Sequence, residues 1–365
     1  LATPAAEAGR VAPAAAPVPA DVLPYLPQRL GLRVDQLHLH GRVLYDVVAG
    51  LTQSDAVWRG NIQARQLGGY VEYHPPGKTH PQGLVFARLS HLLLPEGAAD
   101  QADSLLQSQP QQMPALDISV KEFALAGRAL GSLAVQAQNQ RRDGQPQWVL
   151  DRFDVSLPEA TLTAQGTWGG PDALRRRTQL RFTLALKDSG ALLERFAMPG
   201  VVRGGKGSLE GELGWRGAPI APDWHSMAGK LHLDVGQGQF LKAEPGLAKL
   251  LSVLSLQSLP RRIGLDFRDV FSSGFAFDFV RGDVTVAQGV ARTNNLQMKG
   301  VNAAVLMEGQ ANLADETQQL RVVVVPEINA GTAALVATAI NPAIGIGAFL
   351  AQAVLSRPLV AATTR

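Results

Sequence analysis

Leu32–Leu44 reads LRVDQLHLHGRVL, and Ile118–Leu130 reads ISVKEFALAGRAL. In the first stretch Leu32, Val34, Leu37 and Leu39 alternate with Arg33, Asp35 and His38. The alternation slips by one residue at Gln36, as it does at a β-bulge. Period two puts apolar side chains on one face and polar ones on the other, so the stretch predicts a half-buried strand. The two stretches share Val34/Val120, Leu39/Leu125, Gly41/Gly127, Arg42/Arg128 and Leu44/Leu130, with Leu32/Ile118 and Leu37/Phe123 conservative. A repeated strand unit predicts a body built by stacking similar β elements.

Outward from there the same alternation returns at Leu84–Leu94, Leu116–Leu125, Trp148–Leu157, Leu180–Leu186, Leu209–Trp215, Leu231–Val235, Phe275–Phe279, Val301–Leu313 and Leu320–Val325. In Val301–Leu313 one face carries Val301, Ala303, Val305, Met307, Ala311 and Leu313. The facing set is Asn302, Glu308, Gln310 and Asn312, interrupted by Ala304 and Leu306. Half-buried antiparallel strands have this pattern. Arg281-Gly282-Asp283 predicts a tight hairpin. Helical pattern is scarce. Pro245–Leu256 places Leu247, Leu250, Leu251 and Leu254 at helical spacing, with Pro260 beyond its end, and predicts a helix covering one face of the sheet.

The chain has 365 residues, 46% hydrophobic and 18% charged, which excludes disorder as its overall state. Its 34 Lys+Arg nearly balance 31 Asp+Glu, and aromatics are 6%, a poor match to a nucleic-acid binder. Gly 37 and Pro 23 favour turns over a helical bundle. With Cys 0, disulfides, thiolate metal sites and cysteine nucleophiles are excluded. The chain begins at Leu1 with no signal-peptide pattern, which predicts a piece of a longer protein. Residues 1–28 are rich in Ala and Pro and predict a linker.

A search for chemistry finds no catalytic constellation. Gly200–Gly207 nearly spells a phosphate loop, but Gly207 stands where Ser or Thr must follow Lys206, and a strand-like run follows where a helix should. A flexible turn between strands accounts for those glycines. His38 and His40 share a strand parity, and His74 and His80 flank a Pro-Pro-Gly turn, yet no carboxylate completes a metal set. No Gly-x-Ser-x-Gly elbow occurs. Asp266, Asp269 and Asp278 fit an outward polar face, and Arg175-Arg176-Arg177 a solvated edge or a lipid-headgroup contact. The protein is read as a non-enzyme with no metal and no cofactor.

Ile328–Ser356 holds 29 residues without a charged side chain. Asn341-Pro342 splits it into arms of about 15 and 20 Å as helices at about 1.5 Å per residue, each shorter than a hydrocarbon core of about 30 Å. Three readings stay open: a broken helical pair that touches a membrane or caps an apolar groove, a buried helical hairpin, and a transmembrane helix.

Leu265–Asp278 (LDFRDVFSSGFAFD), Gly289–Leu296 (GVARTNNL), Met298-Lys299-Gly300, Lys249–Gln257 and the Asn341-Pro342 segment together resemble the C-terminal region of the YhdP family. That family lies within the AsmA-like proteins of Gram-negative envelopes. The resemblance is dense over residues 180–355 and looser over 30–170. It implies a mainly β fold: an elongated, curved, mostly antiparallel sheet of repeated units forming an apolar groove, with a few helices near the C-terminus. It divides the chain into the linker 1–28, β-groove units 29–170, a C-terminal groove region 171–327 with helix 245–256, the apolar segment 328–357 and a tail 358–365.

The function implied is phospholipid transport between inner and outer membranes. The protein would be periplasmic, part of a protein anchored in the inner membrane through a segment outside this chain and reaching the outer membrane. Phe275, Phe277, Phe279, Val301, Ala303, Val305, Met307 and Leu313 are the expected acyl-chain contacts. Leu335, Ile340, Ile344, Phe349, Leu350, Val354 and Leu355 are the expected membrane contacts, with Arg357 near the headgroups. The second reading is a scaffold for outer-membrane protein assembly, as in the related TamB-like proteins.

Overall fold

A computed structural model describes residues 28–39, 42–95, 113–142, 144–170, 175–219, 222–241, 275–300 and 303–326. Within them the chain lays down β1 (Arg29–Leu39), β2 (Arg42–Ser54), β3 (Val57–Gln63), β4 (Leu67–His74), β5 (Leu84–Leu94) and β6 (Ala115–Leu125). The two-residue β7 (Arg128–Ala129) follows, then β8 (Ser132–Arg142), β9 (Gln145–Ser156), β10 (Ala160–Gly169) and β11 (Arg177–Leu186). Helix α1 (Ser189–Arg195) precedes β12 (Val202–Arg216), β13 (Ala228–Phe240), β14 (Phe275–Ala287), β15 (Val290–Gly300), β16 (Ala303–Asn312) and β17 (Thr317–Pro326).

These strands form one large curved sheet that does not close. Each pairs antiparallel with its sequence neighbour, with two departures: β5 and β6 run parallel, and β8 takes over from β7 along β6. The repeat reappears in three dimensions. Leu39↔Arg42, Val34↔Val47 and Leu32↔Ala49 in one copy correspond to Leu125↔Arg128, Val120↔Leu133 and Ile118↔Val135 in the other. Both stretches are the same hairpin in the same register.

The register separates the two faces. One row of directly opposed residues crosses from β1 to β14: Leu32, Ala49, Ile62, Gly69, Leu89, Val120, Leu133, Val155, Leu162, Leu184, Leu209, Leu233 and Gly282. The row one residue along reads Gly31, Gly50, Asn61, Tyr70, Arg88, Ser119, Ala134, Asp154, Thr163, Thr183, Glu210, His232 and Asp283. Directly opposed residues share a face and successive residues alternate, so along these rows one face is apolar and the other mainly polar.

Several expectations are corrected. The single α-helix among the described residues lies at Ser189–Arg195, in mid-chain, and not near the C-terminus. It forms there because Asp188 caps it, accepting a hydrogen bond from the Ala191 backbone N–H at 3.0 Å. The expected helix 245–256 and the apolar segment 328–357 lie outside the described residues. Arg281-Gly282-Asp283 is no hairpin but the interior of β14; the turn comes at Gln288-Gly289, where φ of 50° and 75° suits a primed hairpin turn. Gly282 is required because a Cβ there would lie 2.6 Å from the Leu296 Cα.

The slip expected at Gln36 is present and both strands share it: Asp35 and Gln36 are exposed between half-buried Val34 and Leu37, and Tyr45 and Asp46 opposite them are exposed too. β1 and β2 keep one register on both sides of it, and Asp46 carries the irregular φ of 54°. Gly200–Gly207 is mostly the start of β12, where its glycines admit α1: a Cβ on Gly205 would collide with the Ser189 hydroxyl.

Candidate functional site

The apolar face carries four clusters of buried side chains. The largest two flank α1. One joins Val202, Val235, Phe275, Phe277, Val280, Met298 and Val305, and the other Ala87, Leu89, Val120, Phe123, Leu133, Val155 and Leu157. Leu193 of α1 packs on the first and Leu192 on the second.

Five of the expected acyl-chain contacts therefore meet: Phe275, Phe277, Ala303, Val305 and Met307 all belong to the first cluster or pack against it. Leu313 sits apart, against Trp215, Met227 and Val286. Val301 lies outside the described residues, as do the seven expected membrane contacts from Leu335 to Leu355, and Arg357.

Phe279 does not join Phe277. The pairing of β12, β13 and β14 skips Gly205, Gln237 and Asp278, and Gly205 and Gln237 have φ of 87° and 54°. β14 also shifts register against β15 between Phe277 and Phe279. The parity reverses there, so Val280 continues the apolar face after Phe277. Phe279 instead lies under Arg281, whose guanidinium carbon is 3.6 Å from the ring centroid.

A second feature was not read from the sequence. Asn139, Trp148, Trp168, Thr178 and Trp215 stand directly opposed in one row across β8 to β12. Trp148 Nε1 donates to the Pro114 carbonyl at 3.1 Å, and Trp215 Nε1 to that of Ala218 at 2.9 Å. Thr178 Oγ1 donates to the Gly217 carbonyl at 2.8 Å. Trp168, 1% exposed, has no partner for its indole N–H among the described residues. The matched parity of these residues was visible, but their alignment depends on pairings between separate strands.

The polar face is laced by cross-strand pairs. Arg181 Nη2 lies 3.3 Å from Glu212 Oε1, and His232 Nδ1 lies 2.7 Å from Asp283 Oδ1. Asn295 Nδ2 also donates to Asp283, at 2.7 Å. The hydrogen bonds from His232 and then Asn295 hold the Asp283 carboxyl below its ordinary range. On β4, Glu72 accepts from Tyr70 Oη at 2.6 Å and meets His74 Nε2 at 2.9 Å, and it too is held low, first by Tyr70. The exposed cross-strand pairs Arg181–Glu212 and His232–Asp283 each contribute a few tenths of a kcal/mol to about 1 kcal/mol, and they arrange a solvated surface.

Near α1 the balance differs. The Arg195 guanidinium forks onto both oxygens of Glu159, which is 6% exposed, and Arg195 Nη1 also reaches the Ala129 carbonyl at 3.0 Å. The Arg195 hydrogen bonds hold the Glu159 carboxyl low despite its burial. No group of three His, Cys, Asp or Glu side chains suited to a metal occurs among the described residues, and none of their helices is long and apolar enough to cross a membrane.

No solved structure matches this chain. Among curated proteins it is similar to the intermembrane phospholipid transporter YhdP of Escherichia coli (strain K12), with 34% identity over 195 residues. The match covers 53% of this chain and 15% of that protein, so the chain corresponds to a small part of its relative's length. The YhdP protein family model matches residues 2–364. With its one-sided apolar sheet and a family match over nearly its whole length, the chain belongs to the YhdP family.

Proposed function

We propose that the chain is part of a phospholipid conduit between the inner and outer membranes, with its apolar face forming a groove for acyl chains. The observation that carries this reading is the unbroken apolar row from Leu32 to Gly282 beside a mainly polar one, on a sheet that does not close. The curated relative's role as a phospholipid transporter supports it. A sided sheet of this kind keeps tails dry and headgroups wet. At about 0.8 kcal/mol per methylene, a 16-carbon chain costs about 12 kcal/mol in water and a two-chain lipid about 25. A covered path removes most of that barrier without any chemistry, so the proposed role is non-enzymatic. It places the chain in the periplasm. Phe275, Phe277, Ala303, Val305 and Met307 form the candidate acyl-chain surface.

The scaffold reading has no observation in its favour, whereas the sided sheet and the transporter relative both favour the conduit. Protein purified without detergent is expected to carry phospholipid, read by mass spectrometry of an organic extract. A lipid-free extract from folded protein would overturn the reading. Residues 328–357 are proposed to meet a membrane surface through Leu335, Ile340, Ile344, Phe349, Leu350, Val354 and Leu355, because each arm is too short to span. Removing 330–356 is expected to abolish flotation with liposomes, and equal flotation of both forms would exclude that role.

A further inference from the structure

The connection between β11 and β12 is longer than a hairpin needs. Antiparallel neighbours are commonly joined by two to five residues, as β14 and β15 are at Gln288-Gly289. Between Leu186 and Val202 the chain instead folds back as α1 and lays Leu192 and Leu193 on the two largest apolar clusters. Three features hold it there. Gly190 sits so close to β12 that a Cβ would lie 3.1 Å from the Arg203 Cα, Ser189 Oγ donates to the Gly204 carbonyl at 2.7 Å, and Arg195 grips Glu159. A seven-residue helix is too short to persist alone, so its position depends on those ties.

We propose that the strip of apolar face beneath α1, bounded by Leu157, Leu162, Leu186 and Val202, is an acyl-chain subsite. In this structure Leu192 and Leu193 fill it as an internal surrogate. This rests on the conduit reading and adds a gate to it. Lipid displaces α1 by offering the strip the same aliphatic contact, and the Arg195–Glu159 fork returns the helix when lipid leaves. Leu186 and Val202 belong to the cluster on one side of α1, and Leu157 and Leu162 to that on the other. An acyl chain lying there would therefore join the two.

The chain has no cysteine, so one engineered pair can fix the helix without competing bridges. The ideal Cβ of Gly205 lies 3.4 Å from the Ser189 Cβ, slightly shorter than a relaxed disulfide, and Gly205 has φ of 87°. Bridge formation and folding of both redox forms are therefore verified by mass and circular dichroism before uptake is read. Ser189→Cys with Gly205→Cys is mixed with vesicles of phosphatidylethanolamine and phosphatidylglycerol carrying a fluorescent-tailed phosphatidylethanolamine. Uptake is expected to fall about tenfold or more on oxidation and to recover on reduction, because only the open fraction binds. A second variant, Leu192→Asp with Leu193→Asp, should take up lipid faster than the natural chain and lose hydrogen-exchange protection across 190–195. Equal uptake by oxidised and reduced protein, or no gain in the aspartate variant, would show that α1 is only structural. Failure of the natural chain and every variant to take up lipid would instead remove the conduit reading, and the subsite with it.

Discussion

Glu159 accepts a forked pair of hydrogen bonds from Arg195, and it is one of the few charged side chains buried against the sheet. Its folded pKa is depressed, so its contribution to stability is complete above the unfolded carboxylate value of about 4.3. That contribution is lost as pH falls through the lower folded value. Arg195 remains 30% exposed, which reduces the several kcal/mol expected for breaking a fully buried pair. Glu159→Gln should cost about 2 kcal/mol at pH 7, measured by urea unfolding. The gap to the natural chain should narrow as pH falls from the unfolded carboxylate value of about 4.3 toward the lower folded one. An unchanged gap at pH 3.5 would mean that the ion pair contributes nothing beyond packing. None of this was legible in the sequence: Glu159 and Arg195 are 36 positions apart and meet only because α1 folds back over the strand ends.

At the scale of elements, strand identity was legible and strand ends were not. β14 shows why. Arg281-Gly282-Asp283 has hairpin composition, yet it sits in mid-strand because β13 pairs on one side, with Leu233 opposite Gly282. On the other side β15 approaches Gly282 closely through Leu296. Gly282→Ala should therefore destabilise by about 1–3 kcal/mol, as overpacking does, and should loosen β15 first. Hydrogen exchange of the amides around Leu296 checks it, and unchanged protection there would exclude the close approach as the reason for glycine. Phe279 teaches the same lesson. Its spacing from Phe275 and Phe277 predicts one face, but one skipped pairing at Asp278 turns it toward Arg281.

Across the whole molecule, each strand leans mainly on its sequence neighbours, as in a stacked-repeat protein, so stability is expected to be local. Among the described residues none of the four apolar clusters takes a member from β1, β2 or β3, and their first contributor is Val71 on β4. Within β1–β3, Val47 and Ala49 of β2 are buried, but they join none of these clusters, and Leu30 on the same apolar face is 40% exposed. Native-state hydrogen exchange in rising urea should thus release β1–β3 well before β12–β15. Simultaneous release would mean that the sheet unfolds as one cooperative unit despite its neighbour-by-neighbour pairing.

The alternation from Leu32 onward determined, with no tertiary information, that the chain is a sheet protein with one apolar face and that its hairpin unit recurs. Side-chain direction in a strand follows the period of the backbone, which is local. The Gly- and Pro-rich, charge-poor composition and the absence of cysteine narrowed the class in the same way. Tertiary structure alone decided the parallel step from β5 to β6, the row of Trp148, Trp168 and Trp215, the side taken by Phe279, and the seat of α1. Each depends on which strands pair and in what register. A shift of one residue exchanges the two faces at almost no cost in local propensity, so only the summed packing of distant strands selects among them.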